Sequence, residues 1–347
     1  MYTKENPLKV LSLFSGIGAF EKALKRLGVP YELVGFSEID KYAIESYCAI
    51  HSETKDKLLG NIIDIDIEKL PTDISLVTHG SPCQDFSCAG HNKGGDIGAE
   101  TRSSLMWNTV EIVGHCKPKF VLWENVKNVV SKKHIHNFEK YLTAMEQLGY
   151  KNYYEVINAK LFNTPQNRER LFVVSIREDI NIDFKFPSGA ESGIRLKDIL
   201  QDNVEEKYYV NTERAELLVE QLLSRDDLGE MEVIEPKRLG GLFDDETRHQ
   251  AGSVWDINGL APTLDTMQGG YRQPCILEKN RIRKITPTEC WLLMTFEIED
   301  INKCIEIGIS NTQLYKQSGN SIPVNILVEI FRNLVGGMFL PGEETKC

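Results

Sequence analysis

The chain has 347 residues, enough for two domains or for one large α/β unit carrying an insertion. No apolar stretch nears the ~20 residues that span a bilayer, the opening MYTKENPLKVL lacks a signal-peptide core, and eight cysteines and seven histidines form neither CxxC pairs nor HExxH clusters, which excludes a membrane span, a disulfide framework and a structural zinc and predicts a cytoplasmic protein with reduced thiols. The net charge of −11 speaks against a nucleic-acid partner only if it is spread evenly.

In chain order, apolar runs of strand character fall at 10–14 (VLSLF), 32–36 (ELVGF), 74–78 (ISLVT), 120–124 (FVLWE) and 170–176 (RLFVVSI). Helical patterns separate them, as where Phe138, Leu142, Met145 and Leu148 recur on one face. Strands alternating with helices predict an α/β fold with a doubly wound, mostly parallel sheet. After Phe186-Pro187-Ser188-Gly189 the pattern changes to an acidic helical segment over 212–225 and then a Gly-rich stretch to about Pro274. Thr286-Pro287-Thr288-Glu289 is a capping box that starts a new helix, and the last helix is expected from near Pro323 through Val335. The predicted division is a first domain over 1–186 and 313–347 and a second, smaller domain over 187–312.

The charge follows this organisation. Residues 198–235 hold twelve acids against Lys207, Arg214 and Arg225, a net of −9, whereas 117–177 hold eleven Lys/Arg against five Glu. An acidic run of this kind is usually a solvated helical face, and basic surface remains available elsewhere.

The residues that carry chemistry sit where strands end. Strand one runs into FSGIGAFEKAL (14–24), whose glycines let the backbone turn tightly and approach a ligand. Glu21 stands where a dinucleotide fingerprint needs glycine, and its charge disfavours a phosphate ligand at the helix start. Glu38 ends strand two in SEID, either a solvated strand-end acid or an acceptor for ribose hydroxyls. A ribose acceptor without phosphate chemistry points to a nucleoside cofactor such as S-adenosylmethionine. Cys83, in GSPCQDFS, leaves a strand for a loop, the setting of a nucleophile, although free cysteines are more often buried hydrophobes. Glu124 directly follows the apolar FVLW. If parallel neighbours bring it to the edge that carries Cys83, the crevice holds a nucleophile and an acid. In NTPQNRERLF, Gln166, Arg168 and Arg170 alternate along an extended segment, the two arginines either as guanidinium forks for phosphate or base oxygens or as plain surface arginines.

Taken together, FSGIG (14–18), SEID (37–40), GNI (60–62), GSPCQDFS (80–87), ENV (124–126), PQNRERLF (165–172), RIRKITPTEC (281–290) and QSGNSIPV (317–324) resemble, in content and order, the DNA (cytosine-5)-methyltransferases of bacteria and phages. The resemblance covers nearly the whole chain. It implies methyl transfer from S-adenosylmethionine to carbon 5 of cytosine in a specific double-stranded DNA sequence, leaving S-adenosylhomocysteine, with the target base flipped out of the duplex. It assigns Cys83 as the nucleophile toward carbon 6 and Glu124 as the acid that hydrogen-bonds the base. Arg168 would support the base carbonyl and the thiolate, and Arg170 would position Glu124. Around the cofactor it places Phe14, Gly16, Gly18, Glu38, Ile39, Asn61, Ile62, Leu105, Asn320 and Ser321. The family usually has Asp where Asn61 stands; an Asn carbonyl still accepts from the adenine amine, without charge assistance.

The same resemblance makes the Gly-rich segment 88–104 a lid and assigns the variable region 190–284 to target recognition. Gln84, Ser87, Arg102, Arg248, Thr263, Leu264, Gln268, Tyr271 and Arg272 are then candidates to meet DNA, with Gln273 beside them; a Gly-rich loop without base contact is the competing reading of 248–273. No metal is implied. The expected setting is a monomer without membrane contact, the modification partner of a restriction endonuclease or a phage or orphan methylase. Two alternatives stay open, a tRNA cytosine-5 methyltransferase and a catalytically inactive DNA-binding relative.

The acidic segment 198–235 is expected to lie away from phosphates, because its charge would oppose binding there. Replacing its acids by amides should leave the salt dependence of DNA binding unchanged, as measured by titration at several ionic strengths, and a steeper dependence would place the segment at the DNA.

Overall fold

A computed structural model describes residues 2–82, 102–225, 234–243, 251–268 and 272–338. The chain divides into two units: the first comprises 1–157, 169–188 and 327–347, the second 158–168 and 189–326. The division differs from the expected one at two places. Residues 158–168 group with the second unit because their side chains bond within it, and the second unit extends past 312 to include the helix that carries QSGN.

The first unit is built on a seven-stranded sheet: β1 (Leu8–Leu13), β2 (Tyr31–Ser37), β3 (Leu58–Gly60), β4 (Leu76–His79), β5 (Phe120–Val126), β6 (Tyr150–Asn158) and β7 (Glu169–Arg177). Their spatial order is β3-β2-β1-β4-β5-β7-β6. The pairs β1/β2, β1/β4, β2/β3 and β4/β5 are parallel, joined by helices α1 (Ala19–Leu27), α2 (Lys41–His51) and α3 (Met106–Cys116), and α4 (Ile135–Gln147) follows β5. Strand order reverses at β1/β4, the point in such sheets where the carboxyl ends of two strands open a crevice.

Beta-branched and aromatic residues buried on both faces explain why β4 and β5 occupy the centre. Trp123, Val77, Leu13, Phe138 and Tyr141 belong to one apolar cluster. One expectation is corrected here: β7 runs antiparallel to β5. Only residues 159–168 separate β6 from β7, too few for a crossover helix, so the chain turns back. β6 was not anticipated either, because Lys151, Asn152 and Glu155 dilute its apolar pattern at the sheet edge.

The second unit has a four-stranded sheet in the order β11-β10-β9-β8, with β8 (Arg238–Gly241), β9 (Ser253–Trp255), β10 (Cys275–Glu278) and β11 (Arg281–Lys284). The amphipathic α5 (Glu213–Leu223) buries Ala215, Leu218 and Leu222 among Leu239, Val254 and Ile282, and turns Glu213, Glu216 and Glu220 outward. The acidic run is thus a solvated face over α5. Thr286 and Glu289 form the reciprocal cap that starts α6 (Pro287–Leu292). Glu289 also takes both amino groups of the fully buried Arg283 from β11, at 2.9 and 2.8 Å. Helices α7 (Ile298–Glu306) and α8 (Asn311–Asn320) follow, and the chain returns to the first unit through α9 (Val324–Val335). Among the described residues, no helix is long and apolar enough to cross a membrane.

Glu21 needs a second correction. It sits in the first turn of α1 but is fully buried, and burial pushes its carboxyl up to about 7 against the opposing pull of the Ser12 and Tyr47 hydroxyls. The carboxyl therefore faces the core, and its presence says nothing about phosphate at the loop. Between about 4.5 and about 7 the folded protein keeps a proton that the unfolded chain has lost, so this residue lowers stability progressively as pH rises through that window and no further above it. Glu21→Gln is expected to remove the slope and to stabilise the protein near pH 8 by roughly 2 to 3 kcal/mol. Urea unfolding across the window measures both effects; identical slopes in the two proteins would refute the assignment.

Candidate active site

The cofactor candidates of the first unit lie on loops that leave the carboxyl ends of β1, β2 and β3, with Leu105 in the turn that precedes α3. Phe14, Gly16 and Gly18 all have positive φ, at 53°, 55° and 81°. A Cβ at Gly18 would stand 2.2 Å from His51 Nε2, so only glycine can cap α1 there. Glu38 reaches from β2 to this turn: one carboxylate oxygen accepts from Gly16 N–H at 2.9 Å, the other from Ile39 and Asp40 N–H at 2.7 and 2.9 Å. A carboxylate has about four acceptor sites, so Glu38 keeps capacity for hydroxyl groups while its direction is fixed. Ile39 is 73 % exposed beside it. Asn61 precedes the turn of Ile62, and Phe14, Ile62 and Leu105 share one apolar cluster. These eight residues come together on the first unit, whereas Asn320 and Ser321 belong to the second, Asn320 exposed and Ser321 with a buried hydroxyl that lacks a hydrogen-bond partner.

The catalytic candidates gather at β4 and β5. The two strands run in parallel register to the pair His79/Trp123, and beyond it Gly80 lies beside Glu124: a Cβ there would be 3.7 Å from the carboxylate. Arg170, which pairs with Val126 across β5/β7, stands diagonally from Glu124 on the same sheet face. Its Nε meets the carboxylate at 3.1 Å, with side chains 14 % and 13 % exposed. The acid is thus held by a guanidinium while still open to a ligand. Cys83 itself, with Gln84, Ser87, Arg248 and Tyr271, lies outside the described residues, as does most of the segment 88–104.

Arg168 is anchored by backbone carbonyls. It is 2 % exposed within the second unit, and its two amino groups donate to the carbonyls of Leu264 (2.8 Å), Gly319 (2.9 Å) and Ser321 (2.9 Å). A fork that donates to three backbone oxygens joins segments of chain within the second unit. Gln166 also turns inward, donating to Leu293 O at 3.1 Å, so the alternation of 166, 168 and 170 does not share one function. The close packing that Arg168 spans explains QSGN: a Cβ at Gly319 would overlap the Asp265 carbonyl oxygen at 1.9 Å.

Two of the proposed DNA readers are likewise corrected. Leu264 is buried, and the Thr263 hydroxyl donates to Asn167 O at 2.5 Å, so both brace the 158–168 segment. Gln268 and Arg272 are exposed, and Arg102 lies in the short turn that precedes α3. Three residues that sequence reading passed over frame the approach to Cys83, namely Ser81, Trp123 and Asn125. Their positions next to PC and within WEN were the available signal. No group of His, Cys, Asp or Glu among the described residues is arranged to hold a metal.

A family model for C-5 cytosine-specific DNA methylases matches residues 8–336. The chain belongs to that family. This DNA cytosine-5 methyltransferase is 36 % identical to the orphan methyltransferase M.SPBetaI of Bacillus phage SPbeta over 94 % of its own length and 97 % of the phage protein. It is 32 % identical to the type II methyltransferase M.HhaI of Haemophilus parahaemolyticus, covering 94 % of each chain. Its fold is similar to that of the Dnmt2 methyltransferase of S. pombe, with a TM-score of 0.67 at 18 % identity, over 96 % of this chain and 100 % of the other.

Removing the fork at 168 should damage the methyltransferase structurally. Arg168→Ala strands three buried or half-buried carbonyls and is expected to cost at least about 3 kcal/mol in urea unfolding, with Arg168→Lys recovering part of the loss. A wild-type midpoint for Arg168→Ala would show that the three bonds contribute nothing.

Proposed function

We propose that the protein methylates carbon 5 of cytosine within a specific sequence of double-stranded DNA, using S-adenosylmethionine and a covalent bond from Cys83 to a flipped-out base. The observation that carries this reading is the Glu124–Arg170 pair beside Gly80, three residues ahead of Cys83.

Carbon 5 of cytosine is a weak nucleophile. A Cys83 thiolate forming a bond to carbon 6 pushes the ring electrons toward carbon 5, which can then take a methyl group; loss of the carbon-5 proton and breaking of the carbon–sulfur bond restore the ring and the enzyme. Glu124 donates or accepts at ring nitrogen 3 and the exocyclic amine, so the charge that builds on the ring has a partner. Arg170 holds Glu124 in place. Because the target atom is hidden in a duplex, the base must leave the stack.

S-adenosylmethionine, when bound, supplies the methyl group. The residues of the first unit fit it: Glu38 offers acceptor capacity for ribose hydroxyls, Ile39 offers exposed apolar surface for a base, Asn61 an acceptor for its amine, and the positive-φ turn at Phe14, Gly16 and Gly18 lets backbone stand close to the Glu38 carboxylate. Asn320 and Ser321 keep the cofactor role that the resemblance gives them. Target recognition is assigned to the region 190–284, with Gln268, Arg272, Arg248 and Tyr271 toward base edges or phosphates and Gln84, Ser87 and Arg102 around the flipped base. The phage and type II relatives suggest an orphan or modification methylase acting on DNA in the cytoplasm.

Incubation with tritiated cofactor and either duplex DNA or tRNA tests the substrate: label is expected in DNA alone, and labelled tRNA with silent DNA would overturn the reading. Sequencing of methylated DNA from expressing cells would give the motif. Cys83→Ser should abolish transfer and adduct formation with 5-fluorocytosine DNA. Arg170→Lys should lower kcat on the order of ten- to hundredfold while stability changes by less than about 1 kcal/mol.

A further inference from the structure

Between the last rung of the β4/β5 ladder and Cys83 lie Gly80, Ser81 and Pro82, and Ser81 is fastened to β5 by side chains. The Trp123 indole N–H donates to Ser81 Oγ at 3.0 Å, and the Asn125 amide donates to Ser81 O at 3.2 Å and to its Oγ at 3.3 Å. The Asn125 carbonyl accepts from Val126 N–H at 2.8 Å, which sets the amide's orientation. All three residues are buried. Trp123 is immobilised in turn: His79 stacks on it at 5.6 Å and 2°, and Tyr141 packs against both rings, 4.4 Å from the indole and 6.0 Å from the imidazole, while its hydroxyl meets His79 Nε2 at 3.2 Å. Burial pushes the His79 imidazole down to about 3, so the stack is uncharged in the neutral range.

Chain geometry makes this attachment consequential. The Ser81 carbonyl direction is fixed by Asn125, which fixes ψ of Ser81. The Pro82 ring fixes φ of Pro82, and the peptide between them is planar. A single soft dihedral, ψ of Pro82, then separates the clamped residue from Cys83. We propose that Ser81 and Trp123 are positioning residues for the nucleophile: the indole-to-hydroxyl bond sets where the thiol stands relative to Glu124, which Gly80 touches on the opposite side of the strand. The inference rests on Cys83 being the nucleophile. The clamp acts on the bond-forming step and not on DNA or cofactor affinity, because none of its groups faces solvent.

The test uses the full-length protein and duplex DNA carrying 5-fluorocytosine at the methylated position. Ser81→Ala deletes the acceptor, and Trp123→Phe deletes the donor while retaining the ring, so the second variant carries the test if the first does not fold. Single-turnover adduct formation is expected to slow on the order of ten- to hundredfold in each variant, with the dissociation constant for DNA and the KM for the cofactor within about twofold of wild type. The double variant should be no slower than the slower single variant, since both remove the indole-to-hydroxyl bond. Wild-type adduct rates in either variant, or additive losses that track the fall in Tm, would overturn the proposal. Failure of the wild-type protein to form any adduct would instead overturn the Cys83 reading, and the clamp proposal with it.

Discussion

The candidate active site depends on the reversal of one strand. Because β7 runs antiparallel to β5, its first residues, Glu169 and Arg170, lie at the carboxyl edge of the sheet, where Glu124 ends the apolar run of β5. A parallel β7 would have started at the opposite edge, a full strand length away. The ion pair at 3.1 Å is thus a product of topology before it is a product of side-chain chemistry. Every other part of the site is arranged on parallel strands whose loops leave from that edge. Glu38 turns back to the Gly16 amide from β2, and Gly80 brings the end of β4 against the acid.

The amount of structure legible in the sequence varied with how locally each feature is encoded. Strands such as FVLWE and the reciprocal cap at Thr286 and Glu289 announce themselves because a few consecutive residues determine them. The polar edge strand β6 and the three-residue β3 did not, since their pairing comes from neighbours distant in the chain. The motif strings singled out Glu124 and Arg170, which the fold brings within 3.1 Å of each other, yet spacing alone could not tell Arg170 from Arg168. Both are arginines two residues apart, and only the partners separate a guanidinium that meets a carboxylate from one that joins three carbonyls. Glu21 shows the same limit. A charged residue beside a ligand loop reads as electrostatics, but the helix phase turns it into the core.

Burial of polar groups is used here for specificity of position more than for stability. Arg283 with Glu289, Arg168 with its carbonyls and Ser81 with Trp123 each fix one piece of backbone that hydrophobic contact would leave free to slide. Apolar packing around Trp123 supplies the cohesion, and directional bonds choose one geometry within it.

The path of the chain between the two units limits how this enzyme could be redesigned. It crosses four times, at 157/158, 168/169, 188/189 and 326/327. A recognition region taken from a relative by cutting at 187 and 312 would leave behind the carbonyl-binding fork of residue 168 and the helix bearing Gly319. Those parts brace the very segment around Asp265 that the graft replaces. An exchange that respects the architecture has to move residues 158–168 together with the continuous stretch 189–326, so the second unit is inherited as two non-contiguous pieces of chain or as a matched interior.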